Sequence, residues 1–192
     1  MDMIVAVEKG QKANITLPDG SKGWINSDSK LSYGSRFNAD ERVLNLEGEA
    51  YFEVKPDAKR PFIVQSGKVS VKALGTSFNV KNYNTEEHIS VVLMTGKVEV
   101  TANDNHVDLL PNEQAIFNKH SSILGKNKVD NSLDYSSWMY NTLNFESTPF
   151  SEIAHTLERY YNTQIVFSEH LTFIVSYLTI SLRDKRQCGY FV

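Results

Sequence analysis

The sequence predicts a mainly β protein, an antiparallel β-sandwich or jelly-roll-like domain followed by a small α+β unit of strand, helix and strand. Three observations carry that expectation. In Gly48-Glu49-Ala50-Tyr51-Phe52-Glu53-Val54, Ser66-Gly67-Lys68-Val69-Ser70-Val71 and Thr95-Gly96-Lys97-Val98-Glu99-Val100, a glycine precedes apolar residues at every second place. That is the period of a pleated strand with one face buried and one wet. Turn residues punctuate the chain at intervals of about 8–12 positions, with no helical period before residue 147. Past that point the period changes, and Phe150, Ile153, Leu157, Tyr160 and Tyr161 recur at the spacing of one helix face.

Taken in chain order, residues 11–17 and 22–26 form a hairpin around Pro18-Asp19-Gly20. Proline presets φ for the first turn position, and glycine accepts the left-handed geometry that closes the turn. Further strands are expected at 30–33, 42–46, 50–54, 62–65, 68–74, 76–83, 88–94, 97–101, 106–109 and 114–118. Glu47, Glu49 and Glu53 share one parity, so all three are expected on one solvated face. Residues 1–119 therefore read as the sandwich domain and 120–136, polar and carrying Gly125, Asn127, Asp130 and Asn131, as a linker. The small domain occupies 137–192. It begins with a strand at 142–145, then a helix capped by Thr148 with Pro149 as its first residue, closed by Asn162, and a second strand at 164–167.

Composition excludes several function classes. Across 192 residues the formal charge is −3, which offers no basic field to phosphates and argues against nucleic acid as a partner. Cys188 is the only cysteine, so no internal disulfide is available. The most apolar run, 171–182, is broken by Thr and Ser and falls short of the roughly 20 residues that cross a bilayer, so no membrane insertion by this chain is expected. The opening Met1-Asp2-Met3 lacks the basic start of a signal peptide. Gly48, Gly67, Gly75 and Gly96 open no helix after a strand, so no phosphate-binding loop and no cofactor is expected. His88, His106, His120, His155 and His170 show no ligand spacing, and the glutamates of the repeated strand form no acid–base pair. Neither metal nor catalysis is expected. Trp24, Tyr33, Tyr51, Tyr83 and Tyr135 leave one alternative, a carbohydrate-binding β-sandwich whose exposed aromatics stack on sugar rings.

Leu17-Pro18-Asp19-Gly20-Ser21, Arg42, Leu46 through Val54, Pro61-Phe62-Ile63-Val64, Leu74 through Val80 and Leu110-Pro111-Asn112-Glu113-Gln114 stand in an order that resembles the FecR family over roughly 5–118. The tail, with Trp138, Leu143-Asn144-Phe145 and Leu157-Glu158-Arg159-Tyr160-Tyr161-Asn162, looks like the small C-terminal domain of Bacteroidetes-type members. Gly23 and Gly34 depart from the family pattern beside Trp24 and Tyr33, and 183–192 fit neither the strand nor the second helix expected there, so the second domain reads as incomplete. The resemblance implies the periplasmic sensing and relay region of a single-pass inner-membrane anti-sigma factor. Such a region takes its signal from the N-terminal signalling domain of a TonB-dependent outer-membrane transducer. It passes the signal to an extracytoplasmic-function sigma factor through a cytoplasmic segment that has no counterpart in this sequence. The strands flanking the helix supply an open edge for a partner's strand, which makes Leu143, Phe145, Ile165, Val166 and Phe167 the candidate partner-binding residues.

Overall fold

The structure, a computed structural model, describes residues 2–166 and 174–182. Its strands run β1 (Met3–Val7), β2 (Ala13–Thr16), β3 (Lys22–Ile25), β4 (Ser29–Tyr33), β5 (Arg42–Glu53), β6 (Phe62–Ser66) and β7 (Val69–Ala73). They continue through β8 (Ser77–Asn82), β9 (His88–Thr95), β10 (Val98–Ala102), β11 (Asn105–Leu109), β12 (Glu113–Asn118) and β13 (Leu124–Lys128). A 3-10 helix comes next at Ser132–Tyr140, then β14 (Thr142–Pro149), α1 (Phe150–Tyr161) and β15 (Ile174–Ser181).

Two sheets share β5. The first has the order β1-β4-β5-β6-β7-β10-β11 and the second β2-β3-β5-β8-β9-β12-β13. Arg42 to Asn45 pair with β6, the only parallel pairing among the described residues, and Gly48 to Glu53 pair with β8. Gly48 marks the crossing, at φ +94°, and a Cβ there would lie 2.3 Å from Ser29 Oγ and 2.8 Å from Ser29 Cα. Only glycine meets both demands. The sequence suggested two strands, at 42–46 and 50–54; glycine bends the chain here without breaking it, and one strand of 12 residues results.

Between the sheets lies the main core. Leu44, Leu46, Ala50 and Phe52 of β5 enter it with Leu31, Phe62, Val64, Phe78, Val80, Leu93 and Phe117. The Phe52 ring packs against Phe62 and Phe78, with centroids 5.7 and 5.5 Å away. The expected first hairpin forms, with Gly20 at φ +84° and its N–H donating to Leu17 O at 2.9 Å. The Asp19 carboxylate accepts from Ser21 N at 2.9 Å and Ser21 Oγ at 2.6 Å. It also meets the fully buried Arg42 at 2.8 Å. Arg42 donates as well to the Arg60 and Lys55 carbonyls at 2.8 and 2.9 Å, so one guanidinium ties the turn to both ends of the loop between β5 and β6.

Four departures from the sequence reading have physical reasons. β1 and β13 went unseen because each is an edge strand with little apolar alternation, exposed over most of its length. β13 lies inside the segment read as a linker and pairs with β12 from Glu113↔Lys128 to Phe117↔Leu124. The 3-10 helix breaks the expected absence of helix before residue 147, held by Asn131, whose side chain accepts from Leu133 N, and by left-handed Asn141. α1 begins at Phe150 rather than Pro149, because β14 continues through Pro149 and the Thr148 hydroxyl donates to Glu146 O instead of capping the helix. Asn162 closes α1 at φ +51° as expected.

Phe52→Ala should lower the unfolding free energy by about 3–5 kcal/mol in a urea titration, as aromatic truncation in a packed core does. A loss below about half a kcal/mol would mean that the strand presents its other face to the core.

Candidate functional site at the seam between sandwich and tail

The second sheet buries both of its faces along its central strands β5, β8 and β9. In antiparallel sheets, residues in register form rows across the strands, and two such rows run over its outer surface. One reads Trp24, Tyr51, Asn79, Val92 and Gln114; the next reads Glu49, Lys81, Ser90 and Ile116. The first row is largely apolar. Tyr51, Val92 and Met94 form a second core with Trp138 of the 3-10 helix, Leu143 and Phe145 of β14, Ile153 of α1 and Leu182. The tail thus covers a sheet face that would otherwise expose apolar surface.

Charged and polar groups fix where the tail sits. Arg159, 5% exposed although it stands in a surface-type helix, donates to Glu86 Oε1 at 2.7 Å and to Thr85 Oγ1 at 3.2 Å. Its guanidinium lies 3.7 Å from the centroid of the Tyr83 ring, a cation–π contact. Glu86 also takes Lys81 at 2.9 Å. Burial works to raise the Glu86 pKa, but the Lys81 and Arg159 charges outweigh it and hold the carboxyl below the usual glutamate range. The Arg159 carbonyl accepts from Gly10 N at 2.7 Å, and Lys12 donates to the Trp138 carbonyl and to Asn141 Oδ1.

Glu49 is the group that the sequence misplaced. Its parity is the one expected, yet it is 8% exposed, unlike Glu47 and Glu53, because the strand crosses sheets at Gly48 and the tail lies over the stretch beyond that glycine. Oε2 accepts from Asn26 Nδ2 at 2.8 Å and Oε1 from Asn79 Nδ2 at 3.0 Å. Both amides are oriented by a second bond: Ser27 N donates to Asn26 Oδ1 at 2.8 Å, and Trp138 Nε1 donates to Asn79 Oδ1 at 3.2 Å. Burial pushes the Glu49 pKa up, and the Lys81 charge and the two amides offset part of that rise. A chain of hydrogen bonds therefore runs from the buried carboxylate to the indole of the tail.

Beside this seam lies a cleft of about 460 Å³, open between the polar row of the second sheet and β14. Leu143 and Phe145, expected as partner-binding residues, line it from β14, although both are 7% exposed and contribute to the second core. Ile165 and Val166 lie past the helix without strand pairing, with Ile165 N donating to Glu158 Oε1 at 2.8 Å and Val166 80% exposed. Phe167 lies outside the described residues. The strand that pairs with β14 is β15, in a register from Thr142↔Ser181 to Pro149↔Ile174, so the unit is strand, helix and strand with its second strand later than expected. The five aromatics that suggested sugar stacking are dispersed: Tyr51 and Tyr83 are buried, Trp24 and Tyr135 pack on the second core, and Tyr33 packs on the first. Among the described residues no three His, Cys, Asp or Glu side chains converge on a metal-sized site, and no helix is long and apolar enough to cross a membrane.

One sequence signal could have revealed the seam. Val91-Val92-Leu93-Met94 is continuously apolar where a half-exposed strand would alternate, which marks a strand buried on both faces. Nothing in the helical pattern announced Arg159 as buried.

The sequence matches the family model described as FecR protein over residues 3–99 and that described as FecR, C-terminal over 142–185. A crystal structure at 1.65 Å of a candidate anti-sigma factor from Parabacteroides distasonis is similar at a TM-score of 0.89 and 34% identity, over 96% of this chain and 87% of that one. A second, at 2.50 Å from the same organism, gives a TM-score of 0.82 and 35% identity over 92% and 85%. No curated protein matches the sequence.

Glu86→Gln should weaken the fold by about 3 kcal/mol at neutral pH, because it leaves Arg159 buried without the one carboxylate that pairs with it among the described residues. A carboxyl held below its ordinary pKa stabilises fully above the ordinary value and loses that contribution as the pH falls through the folded-state value. The stability gap between wild type and variant should therefore close as the pH falls below the ordinary glutamate range. A gap independent of pH in paired melts would contradict the assignment.

Proposed function

The chain belongs to the FecR protein family, and from that membership we propose that it is the periplasmic sensing and relay region of a membrane-anchored anti-sigma factor. It receives its signal from the N-terminal signalling domain of a TonB-dependent outer-membrane transducer and governs the release of an extracytoplasmic-function sigma factor. It acts by binding and carries no catalysis of its own.

The observation that best supports this reading is the seam. The tail rests on the sandwich through a small second core and a few directed polar contacts, with Arg159, Glu86 and Trp138 at its centre. A contact area of this kind can be shifted by a partner that binds one arrangement of the two units more tightly than another. Two domains, sandwich and tail, divide within the stretch after β13. The partner-binding residues we assign to the tail are Leu143 and Phe145 on β14, followed by Ile165, Val166 and Phe167 beyond the helix. An enzyme would need reacting groups facing each other across a pocket, whereas Arg159 and Glu86 are bound to each other across a joint.

Calorimetric titration of the purified chain with the signalling domain of a transducer encoded beside it tests the proposal. Saturable binding at about micromolar Kd is expected, with loss of at least about tenfold in affinity on Arg159→Ala. Absence of heat and of co-elution would refute it.

A further inference from the structure

We infer that the cleft beside the seam takes an extended, positively charged peptide segment, which adds as a strand to the free edge of β14. The inference rests on the regulatory reading above and names the chemistry of the partner.

Seven consecutive residues, from Leu143 to Pro149, line the cleft. Side chains of a strand alternate between two faces, so a cavity lying on one face would be bordered by every second residue. A border of consecutive residues places the cavity along the edge, where main-chain N–H and C=O groups point, and Tyr177 of β15, opposite Glu146, extends it onto one face of the β14–β15 pair. The opposite edge of β14 is occupied by β15, and among the described residues no other strand pairs with β14. The edge is therefore directed into a cleft walled on the far side by Ser90 and Ile116 of the second sheet. An incoming strand would find main-chain partners on one side and a sheet face against its side chains.

Charge selects the occupant. Asp134, Glu146 and Glu152 line the cleft and make no ion pair among the described residues. Among the described residues the Asp134 carboxylate accepts only from the Asn131 and Asn144 amides, at 3.1 and 2.9 Å. The cation on the same wall, Lys81, is already paired with Glu86, and His88 is bonded to Asn118 at 3.2 Å. Three carboxylates beside an open edge repel an acidic strand and attract one carrying Lys or Arg.

The test is calorimetric titration of the full chain with a capped peptide of alternating Lys and Val, a matched peptide of Glu and Val, and a Lys-Val peptide N-methylated at alternate residues. The Lys-Val peptide should bind. The Glu-Val and N-methylated peptides should each bind at least about tenfold more weakly, and Glu146→Lys with Glu152→Lys should cost a similar factor while the melt stays unchanged. Equal binding of the N-methylated peptide would reduce the effect to unspecific charge attraction and overturn the strand, as would binding indifferent to both substitutions or no binding of the Lys-Val peptide. Titration with the transducer's signalling domain separates the two claims. Peptide binding without signalling-domain binding sinks the functional reading alone, and signalling-domain binding untouched by Glu146→Lys and Glu152→Lys sinks the cleft alone.

Discussion

Strand β5 can serve two sheets only because residue 48 has no side chain. Gly48 sits at a φ closed to L residues and so near Ser29 that even a methyl group would overlap main-chain atoms. The contact is also bonded: Ser29 Oγ accepts from Glu49 N at 2.9 Å. This crossing sets the closed shape of the sandwich and the position of every later element. Ala50 and Phe52 continue into the main core, while Glu49 and Tyr51 come out on the far face of the second sheet. There they form the start of the two rows on which the tail rests. A bend at one residue thus determines both what the domain encloses and what it offers to its neighbour.

That neighbour adheres by burial and is positioned by charge. Tyr51, Val92 and Met94 gain from being covered, but apolar contact alone does not fix a register. Arg159 meeting Glu86 and Tyr83, and Trp138 reaching Glu49 through Asn79, supply directed contacts that tolerate little sliding. Buried ion pairs add little net stability against an apolar replacement, yet they are costly to break one partner at a time. Directed contacts of this kind favour one seating over a graded series of them, which fits the regulatory role that the family supports. The edge of β14 opens beside this joint, so that a strand added there would press on the tail next to the contacts that fix it.

Most of the sandwich was legible because half-buried antiparallel strands write their period into the sequence. Phe62 to Ser66, Val69 to Ala73 and Val98 to Ala102 alternate cleanly and lie where alternation placed them. What escaped shares a physical cause: the missing signal depended on a neighbour distant in sequence. β13 is polar because it is an edge, and only pairing with β12 makes it a strand. Glu49 looks like any surface glutamate until Asn26, Asn79 and the tail close over it. Arg159 reads as the polar side of a helix, but Glu86, 73 residues earlier, draws it inside. The seam could be glimpsed only in the unbroken Val91 to Met94 run, and the candidate docking residues 165 and 166 were placed on a strand that in fact forms at Ile174–Ser181.

Docking of the tail on the second sheet is the claim from which the functional reading grows, and Trp138 reports on it most directly. The chain has two tryptophans, so Trp24→Phe leaves Trp138 alone to emit. With the tail seated, Trp138 is 4% exposed, in one apolar cluster with Tyr51, Val92, Leu143 and Phe145. Its emission should then be blue-shifted and scarcely quenched by acrylamide, and should change to that of a solvated indole when Glu86→Gln and Arg159→Met are combined in that background. A solvent-like, freely quenched Trp138 in the otherwise folded Trp24→Phe protein would contradict the docked arrangement outright.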